Sequence, residues 1–286
     1  MKGIVLAGGT GSRLWPITRT ISKQLLPVYD KPMIYYPIST LMLAGIREIL
    51  IITTPHDQAQ FKELLGDGSR FGVTFEYATQ SEPKGLAQAF TIGEKFLAGD
   101  SCLMILGDNI FHGAGLGNEL ERLLPKMGCH IFTYRVANPI EYGILTLNGD
   151  GTPQSITEKP LHTNSDLAVT GMYFFDSRVS EFAASVLPSS RGELEITSLI
   201  QNYLDLKELT FTQLTRGTAW LDTGRPASLH DASSYVRVIE ERTGLKIACL
   251  EEIALNKGWI TKLDVIDSAA KVGGTEYGSY LYSISK

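Results

Sequence analysis

The chain has 286 residues, 43% of them hydrophobic and 20% charged, with a formal net charge of −5. That composition supports one large globular domain or two modest ones and excludes a wholly disordered or collagen-like chain. No apolar run approaches the ~20 residues of a membrane-spanning helix, and the acidic balance argues against nonspecific nucleic-acid binding.

Lys2–Ala7 is expected as the first strand. Helix-period patterns over Ile34–Leu43, Gln58–Leu65, Leu86–Phe96 and Leu116–Met127 then alternate with β-rich runs over Glu48–Thr53, Val73–Tyr77, Cys102–Leu106 and His130–Val136. This alternation predicts βαβ units, and so an α/β fold with a Rossmann-like, mostly parallel sheet flanked by helices. The continuous apolar run Ile49–Ile52 suits a sheet buried on both faces. Gly143–Leu147 and Gln154–Glu158 flank Asn148-Gly149-Asp150-Gly151, a hairpin signal, and Val169–Phe175 reads as another buried strand. A small antiparallel insertion in the α/β frame is therefore expected. Pro226 can open a helix that carries Leu229, Ala232, Val236 and Ile239 on one face and ends near Gly244. The expected organisation is an α/β core over 1–225 and a helical C-terminal appendage over 226–286.

Cys102, Cys129 and Cys249 are too few and too widely spaced for a disulfide framework, and they fit a reducing, cytoplasmic setting. The five histidines show no paired spacing with one another or with the cysteines, so no zinc site is expected. Met1-Lys2 runs straight into apolar residues, without the basic-then-apolar leader of a secreted protein.

The charge balance reverses at the start of the chain. Residues 1–31 hold Lys2, Arg13, Arg19, Lys23 and Lys31 against Asp30 alone. Within this segment the first strand feeds Ala7-Gly8-Gly9-Thr10-Gly11-Ser12-Arg13. Glycines after a buried strand allow backbone N–H groups to cradle phosphate oxygens; the plain alternative is a tight turn. Two common phosphate loops do not fit. Gly11 is followed by Ser12-Arg13 rather than Lys-Ser/Thr, and Leu14 stands where a dinucleotide fingerprint needs its last glycine. Pro16, Pro27, Pro32 and Pro37 further interrupt any first βαβ unit of the NAD-binding kind.

Leu6-Ala7-Gly8-Gly9-Thr10-Gly11-Ser12-Arg13-Leu14-Trp15-Pro16, followed by Ser22-Lys23-Gln24-Leu25-Leu26-Pro27, resembles the sugar-nucleotidyltransferase family. Within that family the likeness is greatest to members that couple dTTP with glucose 1-phosphate using Mg²⁺, and it runs through nearly the whole chain. The resemblance implies a nucleotide-binding part over about 1–110 and a sugar-binding part over about 111–225. It assigns Gly8, Gly9, Thr10, Gly11 and Ser12 to the phosphate loop, and Arg13 and Lys23 to the triphosphate. Gln24 and Gln80 would read the pyrimidine edge, with Gly85 and Leu86 beside the base.

The same resemblance makes Asp108, at the end of the apolar run Leu103–Leu106, and Asp222, in Trp220-Leu221-Asp222-Thr223-Gly224, the Mg²⁺ ligands. Their spacing alone would say nothing. Carboxylate oxygens 3–5 Å apart are expected if they share one octahedral ion. Tyr142, Gly143, Glu158, Lys159, Val169, Tyr173 and Trp220 would form the sugar pocket, Lys159 taking the sugar's phosphate. Taken alone, Arg13 and Lys23 would read as surface cations and Glu158–Lys159 as a surface ion pair. Glu195-Ile196-Thr197 is read as a helix start beneath the sugar site, with no catalytic role.

The resemblance further implies a homotetramer supplying dTDP-rhamnose precursors, with feedback by a dTDP-sugar between subunits. Ser12 replaces a common threonine and keeps the hydroxyl. Thr215 and Leu250 depart from the family's glycine and proline near the C-terminal region. Two competing readings are an NAD-dependent oxidoreductase and a non-catalytic nucleotide-sugar sensor. The proline-broken opening argues against the first. The retained set of Arg13, Lys23, Asp108, Lys159 and Asp222 argues against the second.

Overall fold

Apolar side chains alternating along adjacent strands give one sheet two buried faces. On the first strand, β1 (Lys2–Ala7), Ile4 and Leu6 pack into one core while Val5 and Ala7 pack into the other. The computed structural model describes residues 1–123 and 127–286. After β1 come β2 (Pro27–Val28), β3 (Lys31–Pro32), α1 (Tyr35–Leu43), β4 (Glu48–Thr53), α2 (Gln58–Leu65) and β5 (Thr74–Thr79). Next are α3 (Gln88–Ile92), α4 (Glu94–Leu97), β6 (Cys102–Leu106), β7 (Asn109–His112), α5 (Leu116–Leu123) and β8 (Cys129–Arg135). Then follow β9 (Gly143–Leu147), β10 (Pro153–Glu158), β11 (Leu167–Phe175), α6 (Val179–Ser185), α7 (Ile196–Asp205), β12 (Leu209–Gln213) and β13 (Ala219–Asp222). The chain ends in α8 (Pro226–Thr243), α9 (Leu250–Asn256), α10 (Lys262–Val272) and α11 (Glu276–Ile284).

The main sheet runs β10-β9-β11-β6-β1-β4-β5, with β8 pairing β11 and β12. Its β6-β1-β4-β5 half is parallel, as the βαβ alternation predicts. The antiparallel part extends beyond the expected β9–β10 hairpin: β11 runs against β6, β8 and β9. All nine residues of β11 are buried. One core holds Leu50, Phe90, Met104, Phe175 and Tyr203; the other holds Ile38, Leu41, Ile51, Phe61 and Phe174.

Three local expectations change. The helix expected over Leu86–Phe96 is two short ones, because Gly93 lies against the sheet. A Cβ there would come within 3.0 Å of Ala89 O and 3.2–3.3 Å of the Leu50 and Ile4 side chains. The helix expected over Leu116–Met127 is α5, ending at Leu123; residues 124–126 lie outside the described residues, and Met127 sits in a bend. The proline-interrupted opening forms 3₁₀ turns at Ser12–Leu14, Ile17–Arg19 and Lys23–Leu25 and the β2–β3 hairpin. The short strands β7, β12 and β13 carry too few residues for a period to show.

The helical region packs back onto the beginning of the chain. Ala232 and Val236 of α8 meet Val28, Met33, Tyr36 and Ile110. Beside them Glu240 accepts hydrogen bonds from Lys31 Nζ (2.9 Å), Lys246 Nζ (2.8 Å) and the Ile247 N–H (2.8 Å). Lys31 and Glu240 are 4% and 5% exposed, so each charge relies on the other and on its paired neighbours. Among the described residues no helix is long and apolar enough to cross a membrane.

His130 on β8 is a core residue, its two ring nitrogens bonded to Thr210 Oγ1 (2.8 Å) and Thr212 Oγ1 (3.0 Å) of β12. Burial lowers its pKa to about 4. The unfolded chain protonates this group near 6.5, so protons favour unfolding between about pH 6.5 and 4. Its contribution is therefore fully present above that window and is lost as the pH falls through it. Denaturant titrations at pH 7 and pH 4 should show a stability loss about 2–3 kcal/mol smaller in His130→Gln than in the unsubstituted protein. Equal losses in the two proteins would contradict this.

Candidate active site

The parallel pairing of β1 with β6 sets Leu6 opposite Leu106, so the two strands end side by side. The Gly107 N–H bonds to Leu6 O at 2.9 Å. The glycine-rich loop and Asp108 therefore emerge together at the carboxyl end of the sheet, where open α/β sheets hold their ligands. β7 then leaves the sheet and pairs with β13, placing Asp222 opposite Asn109. Thr223 closes the ribbon: its N–H and its hydroxyl both bond to Asp108 O, at 3.1 and 2.8 Å. Two acids 114 positions apart thus become neighbours through backbone pairing.

Two adjoining cavities form one cleft above these strand ends. The first, about 220 Å³, is lined by Gly8, Gly9, Lys23, Gln24, Gln80, Gly85, Leu86 and Asp108 among others. The second, about 340 Å³, is lined by Gly11, Ser12, Arg13, Lys23, Leu86, Asp108, Glu158, Lys159 and Asp222 among others. Lys23, Leu86, Leu106, Asp108 and Glu193 belong to both, so they mark the junction. Of the expected residues, Thr10, Tyr142, Gly143, Val169, Tyr173 and Trp220 line neither cavity.

At the first cavity's end of the cleft, Gln24 and Gln80 are buried. Gln24 Oε1 accepts from Ser22 Oγ at 2.7 Å, and Gln80 Nε2 donates to Gly85 O (3.1 Å) and Gln88 Oε1 (2.8 Å). Among the described residues, the Gln24 NH₂ and the Gln80 carbonyl oxygen find no protein partner. One donor and one acceptor thus remain at this end of the cleft. Segment 83–87 is laced to Leu194, whose N–H bonds Lys84 O at 2.6 Å and whose O accepts from the Ala87 N–H at 3.1 Å. Gly85 makes the crossing possible. Its φ is +113°, and a Cβ would lie 2.4–2.5 Å from Leu194 backbone atoms.

At the junction, Lys23 Nζ forms an ion pair with Asp108 Oδ2. Burial pushes the Asp108 carboxyl up, but the Lys23 charge and the hydrogen bonds from Lys23 and Asn109 outweigh it and hold it below its ordinary value. Asp222 shows the opposite balance. Burial and then the Asp108 carboxylate raise it to about 6, against weaker pulls from Lys23 and the Gly224 N–H. One carboxylate is thus ionised and its neighbour shifted toward holding a proton, the usual result of crowding two acids. Such a pair offers hard oxygen donors to a divalent cation, whose charge would replace that proton. Among the described residues no group of three or more His, Cys, Asp or Glu side chains converges as a metal cage. The remaining ligands of such a cation would therefore come from substrate or water.

The other end is polar. Lys159 Nζ lies 3.7 Å from Glu158 Oε1, and Arg191 reaches Glu158 at 3.4 Å while donating to Glu195 from Nη2 (2.8 Å to each oxygen) and from Nε (3.1 Å). Burial raises the Glu158 pKa, opposed first by Lys159. Lys159 holds φ +42°, a left-handed conformation rare for an L side chain, and its N–H bonds to Tyr142 O at 3.0 Å. β10–β9 pairing sets Gly143 opposite Glu158. Tyr142 and Trp220 pack ring to ring at 5.3 Å. Val169 and Tyr173 lie buried on β11. Burial raises the Tyr173 phenol, with Glu158, Asp108 and Asp222 adding to the rise.

Three residues without a functional reading in the sequence also sit here. Asn109 is 3% exposed and bridges the site: Nδ2 donates to Asp108 Oδ1 (3.1 Å), while Oδ1 accepts from Trp220 Nε1 (2.6 Å) and the Gly171 N–H (3.2 Å). Its place directly after Asp108 was the available signal. Arg191 and Glu195 line the second cavity. They come from the loop before α7, where no periodicity points inward. Glu195 is the N-cap position of α7, the helix expected there.

Residues 2–238 match the family model described as Nucleotidyl transferase. Over 287 residues the chain is 52% identical to a glucose-1-phosphate thymidylyltransferase of Neisseria meningitidis, spanning all of both chains. A Mycobacterium tuberculosis protein of that name is 52% identical over 284 residues, covering 99% of each. A solved Bacillus anthracis structure in complex with sucrose superposes with a TM-score of 0.77 at 39% identity, covering 83% of this chain and 95% of that one. A UDP-glucose pyrophosphorylase holding UDP-glucose shares the fold, with a TM-score of 0.73 at 23% identity. By the family-model match over residues 2–238 and these full-length relatives, the chain belongs to the nucleotidyl transferase family.

Proposed function

We propose that the protein transfers the thymidylyl group of dTTP to glucose 1-phosphate, giving dTDP-glucose and pyrophosphate, with Mg²⁺ held by Asp108 and Asp222. One observation carries the reading: a single cleft runs from two buried glutamines, past Arg13 and Lys23 and a pair of crowded acids, to Glu158 and Lys159. Its order of chemistries matches base, triphosphate, metal and sugar phosphate. The names of the full-length relatives support the same substrates.

An oxygen of the sugar phosphate forms the new bond to the α-phosphorus as the bond to the β-phosphate oxygen breaks, and pyrophosphate leaves. The attacking phosphate is already an anion, so no side chain has to act as general base. The barrier lies in bringing two anions into line and stabilising the charge that develops. Arg13, with its planar fork, and Lys23 would hold the β- and γ-phosphates and stabilise the leaving group. Lys159, fixed by its strained backbone, would neutralise the approaching sugar phosphate. Glu158 can accept from two sugar hydroxyls, and Gly143 can offer its backbone beside it. The free donor of Gln24 and the free acceptor of Gln80 complement the N3–H and carbonyl edge of thymine. When bound, Mg²⁺ supplies neutralisation of phosphate charge as a Lewis acid. Tyr142, Val169, Tyr173 and Trp220 would wall the sugar side from behind, and Thr10 would contribute to the phosphate loop. The family resemblance extends this reading to a cytoplasmic homotetramer.

Pyrophosphate release with glucose 1-phosphate and Mg²⁺, compared across dTTP, UTP, CTP, ATP and GTP, tests the reading. Release with dTTP should exceed that with either purine nucleotide at least tenfold. The dTTP/UTP ratio should be smaller, because one methyl is worth only about 1–3 kcal/mol. Asp108→Asn and Asp222→Asn should each retain the folded circular-dichroism spectrum and lose about 10²–10³ in kcat. No release with any nucleotide, or near-normal turnover in both variants, removes the mechanism.

A second prediction concerns the end with the two glutamines. Gly85→Ala would drive a methyl into the Leu194 backbone. It should raise the KM for nucleotide about tenfold or more, whereas Gly149→Ala, with open space around it, should leave KM unchanged. Equal KM values in the two variants would show that the Gly85–Leu194 crossing does not shape the nucleotide pocket.

A further inference from the structure

We propose that Lys23 and a divalent cation compete for the same oxygen of Asp108, so that the cation enters the cleft only with a triphosphate that draws the ammonium away. The inference rests on the metal and nucleotide roles proposed above and adds an order of events to them.

The argument is an account of four carboxylate oxygens. Asp108 Oδ1 accepts from Asn109 Nδ2 at 3.1 Å. Asp108 Oδ2 is held in the ion pair with Lys23. Asp222 Oδ1 accepts from the Gly224 N–H at 3.1 Å. Among the described residues, Asp222 Oδ2 alone has no donor. Asp222 Oδ2 is open to a cation, but a cation shared by both acids must, on Asp108, share an oxygen with the donor already there or displace that donor. Asn109 is a poor candidate, because Trp220 Nε1 and the Gly171 N–H fix its amide from the far side. Lys23 is the partner free to leave. Its Cα is anchored in a 3₁₀ turn, with the Leu26 N–H bonded to Lys23 O at 3.1 Å, while its four-carbon stem can swing.

The pair is also well shielded: the Lys23 and Asp108 side chains are 19% and 14% exposed. A lone cation approaching Asp108 meets an ammonium of like charge at short range, little screened by solvent. A triphosphate removes that obstacle. Lys23 lines both cavities, so phosphates lying along the cleft come within reach of its ammonium as they bring their own cation. The same arrangement would prevent an inorganic cation from occupying the paired acids in the absence of nucleotide.

The test uses Mn²⁺ alone as the probe, with binding to the full-length protein read from the electron paramagnetic resonance signal of the free ion. Lys23→Met should bind Mn²⁺ at least tenfold more tightly than the unsubstituted protein, and Lys23→Gln should show the same gain. The gain should vanish in Lys23→Met/Asp108→Asn. Affinity equal to or weaker than that of the unsubstituted protein in both Lys23 variants overturns the proposal, as does a gain that survives the second substitution. Pyrophosphate release by the unsubstituted protein is read separately. A Mn²⁺ gain without turnover keeps the competition and removes the proposed reaction; turnover without the gain does the reverse.

Discussion

The site depends on holding two carboxylates together against their mutual repulsion. Asp108 and Asp222 are brought side by side by bonds that neither carboxylate can undo: the β7–β13 pairing and the two hydrogen bonds that the Thr223 N–H and hydroxyl donate to Asp108 O. Partial burial raises the cost of charging both. The surroundings divide that cost unevenly. Lys23 and Asn109 keep Asp108 ionised, while Asp222 is pushed up to about 6. A site prepared in this way stores unfavourable electrostatics that a bound cation would relieve.

That constraint reaches into the scaffold. Thr223, which ties the ribbon to Asp108, also sets its hydroxyl oxygen against Met33 Sδ, 3.1 Å away. Met33 is fully buried in the cluster that seats α8. Glu240 of the same helix is locked to Lys31 and Lys246 a short distance along. The helical region therefore does more than cover apolar surface: it buttresses the segment on which Lys23 and Gln24 stand. A buried ion network adds little net stability but leaves few alternative packings, because any other arrangement strands a charge.

Asn109 gives the site a second kind of coherence. One amide joins the carboxylate that the cation would use to Trp220 and to the backbone of β11. Sugar-side and metal-side elements are thus registered against each other through a single 3%-exposed side chain. Across the cleft, the strained backbone of Lys159 and the Gly85–Leu194 crossing perform similar tasks, each trading local conformational freedom for position.

Much of this was legible in the residues themselves. Strong apolar periodicity located β1, β4 and β6 to the residue, and Pro226 and Gly244 bracketed α8. The ordered blocks around Arg13, Lys23, Asp108, Glu158 and Asp222 pointed to the proposed chemistry through their family resemblance, since each residue taken alone reads as a surface charge. Other features left no local trace. The break at Gly93 depends on the sheet beneath it. The ribbons β7 and β13 are four residues long and become strands only by finding each other. Nothing near Arg191 reveals that it reaches Glu158, and nothing near Asn109 reveals its bonds to β11 and β13. The sequence by itself determined which groups were available and which strands would carry them, since periodicity and side-chain chemistry are local properties. Only the tertiary structure decided which groups meet, which carboxylate keeps its charge and which cation holds it, because those depend on distances and burial created when remote segments pack together.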